Sequence, residues 1–111
     1  MGSEQGRRVG LNEAIFRQVN EEIESLNRDL ETGTRTMNAV CECADADCTE
    51  RLAIRVRDYE EVRSDPRRYV IVPGHGLPEF ESVVGGGEGY EIVEKREGTA
   101  ARVAVETDPR S

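Results

Sequence analysis

All three cysteines of this 111-residue chain lie within the stretch Cys41–Cys48, and their spacing is C-x-C-x4-C. The residues between them are Glu, Ala and Asp, which are small or polar, as a loop around a metal ion requires. Two thiolates separated by one residue can reach the same ion, and four further residues are enough for the chain to return a third. Because zinc prefers thiolate and imidazole ligands in a tetrahedron, the spacing predicts a zinc site made by Cys41, Cys43 and Cys48.

The fourth ligand is predicted to be His75, the only histidine in the chain. It follows a Pro-Gly turn at the end of a predicted strand, a position that can point the ring inward. Asp45, Asp47, Glu79 or a water molecule are the alternatives. The choice matters because structural zinc sites have four protein ligands, whereas catalytic sites keep one position open.

Composition explains why a metal would help this chain to fold. Apolar residues make up 36% of it and charged residues 34%, there is no tryptophan, and only five residues are Phe or Tyr. Small domains bury a modest fraction of their surface and often need a metal or a partner. We therefore expect a single zinc-stabilised domain over residues 11–107, with flexible tails at residues 1–10 and 108–111.

The charge pattern limits the partners that we expect. A net charge of −8 repels the phosphate backbone, so nucleic-acid binding is disfavoured. Six arginines in residues 51–68 could contact an anion, but a solvated strand face explains them better. No apolar run reaches membrane-spanning length and no signal peptide is evident, so the chain is expected in the reducing cytoplasm. Clustered cysteines there indicate metal binding or redox chemistry before disulfides.

The clearest predicted helix is Leu11–Glu31, with Asn12 as its N-cap. Its apolar residues recur at helical spacing and form one stripe: Ile15, Val19, Ile23, Leu26 and Leu30. The stripe is interpreted as packing on the domain's own sheet. The alternative is that it pairs with another protein, or with a second copy in a homodimer.

The rest of the chain predicts an α+β fold, in which the N-terminal helix packs on a small, mainly antiparallel sheet of three to five strands that carries the zinc knuckle. The predicted strands are 36–40, Arg51–Arg57, Tyr69–Val72, Phe80–Val84 and Tyr90–Lys95, with a short helix at Asp58–Ser64. Gly85–Gly89 is expected to be a hairpin turn, and Thr99–Glu106 a strand or a helical turn. For His75 to reach the cysteines, either the strands Arg51–Arg57 and Tyr69–Val72 are antiparallel neighbours, or the Pro73–Gly76 segment is long enough to carry the histidine back to them.

The cysteine spacing resembles the post-SET motif of SET-domain lysine methyltransferases. That resemblance covers Cys41–Cys48 alone and implies three zinc ligands with a fourth from a distant residue, but no activity. Over about residues 11–109 the chain is also similar to a group of small actinobacterial proteins of unassigned activity, which implies a bacterial origin. The shared segments are Asn12–Asn20, Cys41-Glu42-Cys43 with Asp47-Cys48-Thr49, Tyr59-Glu60-x-Val62-Arg63-x-x-Pro66 and Pro73-Gly74-His75.

The predicted function is that of a non-enzymatic, zinc-binding interaction or regulatory module with a protein partner. A redox- or zinc-responsive thiol switch is the first alternative. The second is a small zinc enzyme with Glu42 or Glu79 as general base. The simplest alternative of all is three buried cysteines that bind no metal.

Overall fold

The computed structural model describes residues 2–30 and 36–110, which form three helices and five strands. The elements in chain order are α1 (Gly2–Leu30), β1 (Thr36–Val40), β2 (Arg51–Arg55), α2 (Val56–Val62), β3 (Arg68–Ile71), β4 (Glu81–Gly87), β5 (Tyr90–Lys95) and α3 (Thr99–Glu106). This confirms the predicted α+β class. No helix among the described residues is long and apolar enough to cross a membrane.

The strands form two small antiparallel sheets instead of the single sheet that was predicted. β1 pairs with β2, and the second sheet has the order β3-β5-β4. The predicted pairing of the second and third strands is therefore wrong within the described chain, since β2 and β3 belong to different sheets. The reason is local: one edge of β3 pairs with β5, and the segment after β1 hydrogen-bonds to β3, as described below.

Two adjoining apolar clusters form the core. The first lies between the β1–β2 sheet and α2 and contains Met37, Ala39, Leu52, Ile54, Val56, Tyr59 and Val70. The second contains two of the cysteines, together with Tyr69, Ile71, Val93 and Ala104. The cysteine stretch is therefore part of the interior, and a change there is felt by both β3 and α3.

The first helix starts earlier than predicted, at Gly2 instead of Leu11. Glycines at positions 6 and 10 explain this, because they allow α1 to approach α3 closely. A Cβ atom on Gly10 would lie 2.8 Å from Cβ of Val103, and one on Gly6 would lie 3.3 Å from Cβ of Thr99. Residues that were predicted to form a tail are thus helical and in contact with the last helix.

The orientation of α1 differs from the predicted one. Its buried face is polar and consists of Glu13, Arg17, Asn20 and Glu24, which also recur at helical spacing. Much of the predicted core stripe is exposed: Leu11, Ile15, Val19 and Leu26 face outward, and Ile23 packs against the first core cluster. The side chain of Leu30 lies outside the described residues. Packing on the protein's own sheet is therefore not the main role of the apolar stripe.

Later elements also differ from the prediction in their bounds. Val56 starts α2 instead of ending a strand. Gly85–Gly87 belong to β4 and not to a turn, with a register shift between Val83 and Gly85, and Gly89 turns the hairpin with a φ of +85°. Thr99–Glu106 is a helix, because its alanines and Val103 pack against α1 and the second core cluster.

Arginines hold the C-terminal segment against α1. Arg63 pairs with Glu21 and Asp108, and Arg110 pairs with Glu21 and Glu60. Four of the remaining arginines in residues 51–68 also bond to protein groups, namely Arg51, Arg55, Arg67 and Arg68. The basic stretch therefore serves the fold, which supports the interpretation that it is not an anion site.

A buried ion triad fastens α1 to the three-stranded sheet. Nζ of Lys95 lies 2.5 Å from Oε1 of Glu13 and also bonds Glu81. All three side chains are buried. One ammonium group cannot neutralise two carboxylates, and burial raises the pKa of Glu13 to about 8, while Lys95 opposes and Glu81 adds to that increase. Glu13 is therefore protonated at neutral pH.

Protonation of Glu13 predicts that stability falls as the pH rises. The pKa of Glu13 is about 8 in the folded protein and near 4.5 in the unfolded chain. Because the pKa of Glu13 is higher in the folded protein, the stability linked to its protonation is fully present below pH 4.5. That stability is lost as the pH rises from 4.5 to about 8. We expect this group to lower the free energy of unfolding by up to about 1.4 kcal/mol per pH unit in that window.

The measurement is urea unfolding of the parent and of Glu13→Gln at several pH values in that window. Glutamine keeps the shape and stays neutral, so the variant should become more stable relative to the parent as the pH rises. The comparison cancels the titration of every other group. If the free energy of unfolding changed with pH equally in the two proteins, Glu13 would not be protonated in the folded state.

Candidate metal centre

The three cysteines lie in the loop that joins β1 to β2. Cys41 directly follows β1, and its N–H donates to the carbonyl oxygen of Glu50 at 3.1 Å, which closes the base of the loop. At the tip, the N–H of Cys48 donates to the carbonyl oxygen of Asp45 at 3.0 Å, and the carboxylate of Asp45 accepts the N–H of Asp47 at 2.9 Å. These local bonds curl the loop, so the third thiol returns to the first two.

His75 enters the same place from the turn after β3. Its N–H donates to the carbonyl oxygen of Val72 at 3.1 Å across Pro73 and Gly74. Gly74 has a φ of +89°, and a proline before such a glycine is typical of a type II turn. The proline fixes one dihedral and the glycine permits the other, so the turn itself directs the imidazole toward the cysteines.

The structure brings Cys41, Cys43, Cys48 and His75 together. One ligand atom from each lies within 4.8 Å of all the others. Nδ1 of His75 is 3.5 Å from Sγ of Cys41 and 3.7 Å from Sγ of Cys48. A tetrahedron with Zn–S of about 2.3 Å and Zn–N of about 2.1 Å places sulfur and nitrogen roughly 3.6 Å apart. These two nitrogen–sulfur distances therefore fit a tetrahedral metal ion.

The two halves of the group meet because the loop pairs directly with β3. The N–H of Glu42 donates to the carbonyl oxygen of Val70 at 2.8 Å, and the N–H of Val70 donates to Oε1 of Glu42 at 3.0 Å. The Glu42 side chain thus takes the place of a backbone carbonyl at the edge of β3. The predicted antiparallel neighbours β2 and β3 are not needed, since the loop makes this contact itself.

Hydrogen bonds to sulfur favour thiolates at two positions. The N–H of Val72 donates to Sγ of Cys41 at 3.2 Å, and the backbone of Asp45 bonds to the thiol of Cys43. Burial acts against ionisation and raises the pKa of both cysteines above the ordinary value. A metal ion held by these cysteines would supply the positive charge that favours their thiolate form.

Glu42 is occupied by the protein and is not available as a general base. Its side chain is fully buried, and its Oε2 accepts hydrogen bonds from Nδ2 of Asn20 and from the hydroxyl of Tyr59, both at 2.8 Å. Oε1 accepts the N–H of Val70. Both oxygens are thus used to hold β3, α1 and α2 around the loop, and Glu42 orients the segment that carries the cysteines.

Two asparagines connect α1 to the same loop. Nδ2 of Asn12 donates to the carbonyl oxygen of Ala44 at 2.9 Å. Asn20 donates to the carbonyl oxygen of Val40 and accepts its N–H, both at 2.8 Å. The predicted N-cap role of Asn12 is wrong, because the residue lies in the middle of α1. The helical spacing of the polar residues on α1 was the signal that could have revealed this face.

The alternative fourth ligands do not join the group. Asp45, Asp47 and Glu79 are exposed, and none belongs to the set of close ligand atoms in the described part of the chain. The side chain of His75 is half-buried, as is that of Cys48, whereas Cys41 and Cys43 are buried. The centre is therefore closed on the side of the core and reaches the surface near His75.

Comparisons with known proteins found no match to this chain. No family model, no curated protein and no solved structure matches it. The interpretation of the site therefore depends on its own residues and geometry.

Proposed function

We propose that the chain is a non-enzymatic zinc-binding module in which Cys41, Cys43, Cys48 and His75 hold one structural zinc ion. The observation that carries the proposal is the convergence of three sulfurs and one nitrogen within 4.8 Å of one another, with two nitrogen–sulfur distances close to those of a tetrahedral site. Four protein ligands leave no open position, which is the arrangement of structural sites.

The donor set favours zinc among the common metals. Three thiolates and one imidazole are soft or borderline ligands, which suit zinc and disfavour magnesium or calcium, both of which take oxygen ligands. Zinc also undergoes no change of oxidation state, so a structural site of this kind needs no electron donor or acceptor. The described residues place no carboxylate in the group, and this supports the same assignment.

The role of the ion is to join parts of the chain that lie far apart in sequence. The cysteine loop connects β1 to β2, His75 follows β3, and the asparagines of α1 bind the loop. An ion at this point ties the two-stranded sheet to the three-stranded sheet and supports the first helix. In a chain with a small apolar core, that cross-link contributes directly to folding.

The direct test is the metal content of the purified protein together with its cobalt-substituted spectrum. We expect one zinc per chain, and cobalt should give intense sulfur-to-metal charge-transfer absorption with tetrahedral ligand-field bands. A protein that purifies without metal and does not take up zinc or cobalt would contradict the proposal.

Replacing His75 by alanine should weaken zinc binding without abolishing it, because three thiolates remain. We expect the affinity to fall by at least about tenfold, since even partners outside the ligand set often contribute that much. Competition with a chromophoric chelator measures the affinity. The cobalt ligand-field bands should shift as water replaces the imidazole.

Glu79→Gln is the matched control, because Glu79 is an exposed alternative ligand close in sequence to His75. It should leave both affinity and spectrum unchanged. Unchanged zinc affinity in His75→Ala, or a loss in Glu79→Gln, would remove His75 from the proposed ligand set.

A thiol switch is the second candidate, and the half-buried position of Cys48 beside two free cysteines is the observation in its favour. Peroxide would oxidise an accessible thiolate and release the metal. Zinc release followed with a metal-sensitive dye separates the two functions: a structural centre retains its ion at peroxide levels that empty a switch.

A further inference from the structure

The first helix carries an exposed apolar face, which we call the outer face and define by Leu11, Ile15, Val19 and Leu26. Their exposed fractions are 40%, 64%, 37% and 69%. The intervals of four, four and seven residues place them on one side of α1. Single exposed apolar residues are ordinary, but a contiguous row along several turns marks an interaction surface.

The burial of the opposite face shows that this exposure is built into the fold. Glu13, Arg17, Asn20 and Glu24 line the inner side of α1 and are buried. Arg17 bonds the carbonyl oxygens of Pro66 and Ala104, and Glu13 and Asn20 have the ion-pair and loop contacts described above. Oε1 of Glu24 lies 3.9 Å from Nη2 of Arg110. An amphipathic helix normally turns its apolar stripe toward the core. Here the specific polar contacts hold the apolar stripe outward.

We propose that the outer face pairs with the outer face of a second copy of this chain, with the two helices antiparallel and the two-fold axis at Ile15. This inference names the partner for the interaction role in the proposed function and rests on that role. It does not require a particular metal at the centre, because the four residues of the outer face are exposed and none belongs to the group formed by the three cysteines and His75.

Charge complementarity selects this arrangement. Arg8 and Glu22 are both exposed, and each lies seven residues, or two helical turns, from Ile15. In an antiparallel pair centred on Ile15, Arg8 of each copy lies opposite Glu22 of the other, and Leu11 lies opposite Val19. Leu26 lies at the end of the contact, opposite Glu4. A parallel pair would place like charges opposite each other and is disfavoured.

Other occupants fit the same face less well. The net charge is −8, and Glu4 and Glu22 lie along the exposed side of α1, so an anionic membrane surface would be repelled. A helix of another protein would use the apolar residues, but it would not explain why the charges on both sides of Ile15 complement each other. A second copy of the chain accounts for both the exposed apolar row and the complementary charges.

The first experiment is sedimentation equilibrium of the zinc-loaded full chain over a range of concentrations. We expect a reversible dimer of twice the 12.4 kDa chain mass. Ile15→Glu should weaken dimerisation by at least about 100-fold, because it places two carboxylates at the axis and removes two apolar side chains. Val105→Glu is the matched control, since Val105 is an exposed apolar residue on α3, and it should dimerise like the parent.

A charge-exchange experiment tests the antiparallel register. Arg8→Glu and Glu22→Arg should each weaken the homodimer by roughly tenfold, since each turns two attractive pairs into two repulsive ones. A mixture of the two variants should form a heterodimer, because every facing pair is then attractive. Failure of the mixture to associate, with both variants folded, would overturn the register and with it the proposal.

The outcomes for the dimer and for the metal are separable. A parent that binds zinc and stays monomeric at millimolar concentration overturns the dimer, leaves the metal centre standing and leaves the outer face to a helix of a different protein. A dimer that survives Ile15→Glu, with zinc bound and melting unchanged, places the contact elsewhere and also overturns the inference. A parent that dimerises through the outer face without taking up metal supports the inference and contradicts the zinc module instead.

Discussion

Replacing Cys43 by serine is expected to abolish metal binding and to unfold much of the protein. Cys43 is buried, is one of the four proposed ligands, and belongs to the core cluster that joins β3 to α3. In small sites of this kind the free energy of metal binding is largely free energy of folding, of the order of 10 kcal/mol for structural zinc. That is comparable with the total stability of a typical domain, which is about 5–15 kcal/mol.

The measurement is circular dichroism melting together with metal analysis of the purified variant. A folded variant with the melting behaviour of the parent, or one that still carries one zinc per chain, would show that the metal is not structural. The loss should also appear in the parent after prolonged treatment with a strong chelator. Zinc added back should then restore the parent and not the variant.

Ala104→Ser is the control for the chemistry of the substitution. Ala104 lies in the same core cluster and is buried, so its replacement also introduces a hydroxyl group there without touching a proposed ligand. We expect it to retain zinc and to lose little stability, since a serine on a helix can bond the carbonyl oxygen four residues earlier. If both variants lost zinc and stability to the same extent, the cause would be the buried hydroxyl group and not the missing ligand.

The second large effect is expected for Lys95→Met. Nζ of Lys95 bonds both Glu13 and Glu81 in the interior, so its removal leaves two buried carboxyl groups without a cation. Breaking a buried pair by removing one partner typically costs about 3–5 kcal/mol. Methionine keeps most of the length and apolar volume of the lysine stem, so the loss reports on charge more than on packing.

Chemical denaturation at neutral pH measures this loss. Arg96→Met is the control, because Arg96 is exposed and its side chain donates a hydrogen bond to the carbonyl oxygen of Pro78. It should change the free energy of unfolding by less than about 1 kcal/mol. A Lys95→Met protein as stable as the control variant would contradict the triad.

The parts of the fold that could be predicted are those that depend on local spacing. The apolar and polar residues of α1 recur at helical intervals, so its helical nature was evident. Alternation in Arg51–Arg55 and the continuous apolar run at β3 predicted strands that the structure has, within a few residues. Pro73-Gly74 predicted the turn that carries His75, because only glycine readily takes the positive φ required there.

The pairing of elements could not be predicted in the same way. Glu42 was considered only as a base, yet its side chain completes the edge of β3 and bonds Asn20 and Tyr59. Nothing local to Glu42 distinguishes a buried structural carboxylate from a catalytic one. Its role depends on which groups three other elements bring to it, and those groups lie 17 to 28 residues away in the chain.

The orientation of α1 is the clearest case of a feature that only the tertiary structure decided. The helix has two stripes at the same period, one apolar and one polar, and periodicity alone cannot tell which stripe faces inward. The inner face was decided by specific partners for Glu13, Arg17 and Asn20 on β1, β5 and α3. Their burial is tolerated because each side chain has an ion-pair or hydrogen-bond partner in the interior.

The sequence by itself limited how far apart the three thiols can lie, because steps of two and five residues span at most about 7 Å and about 17 Å of extended chain. It also determined that His75 stands at a sharp turn. Only the tertiary structure decided that this turn meets the thiols, through the pairing of the cysteine loop with β3. The physical reason is that chain connectivity limits distances between near neighbours, whereas distant segments meet only where the folded core provides hydrogen-bond partners for both.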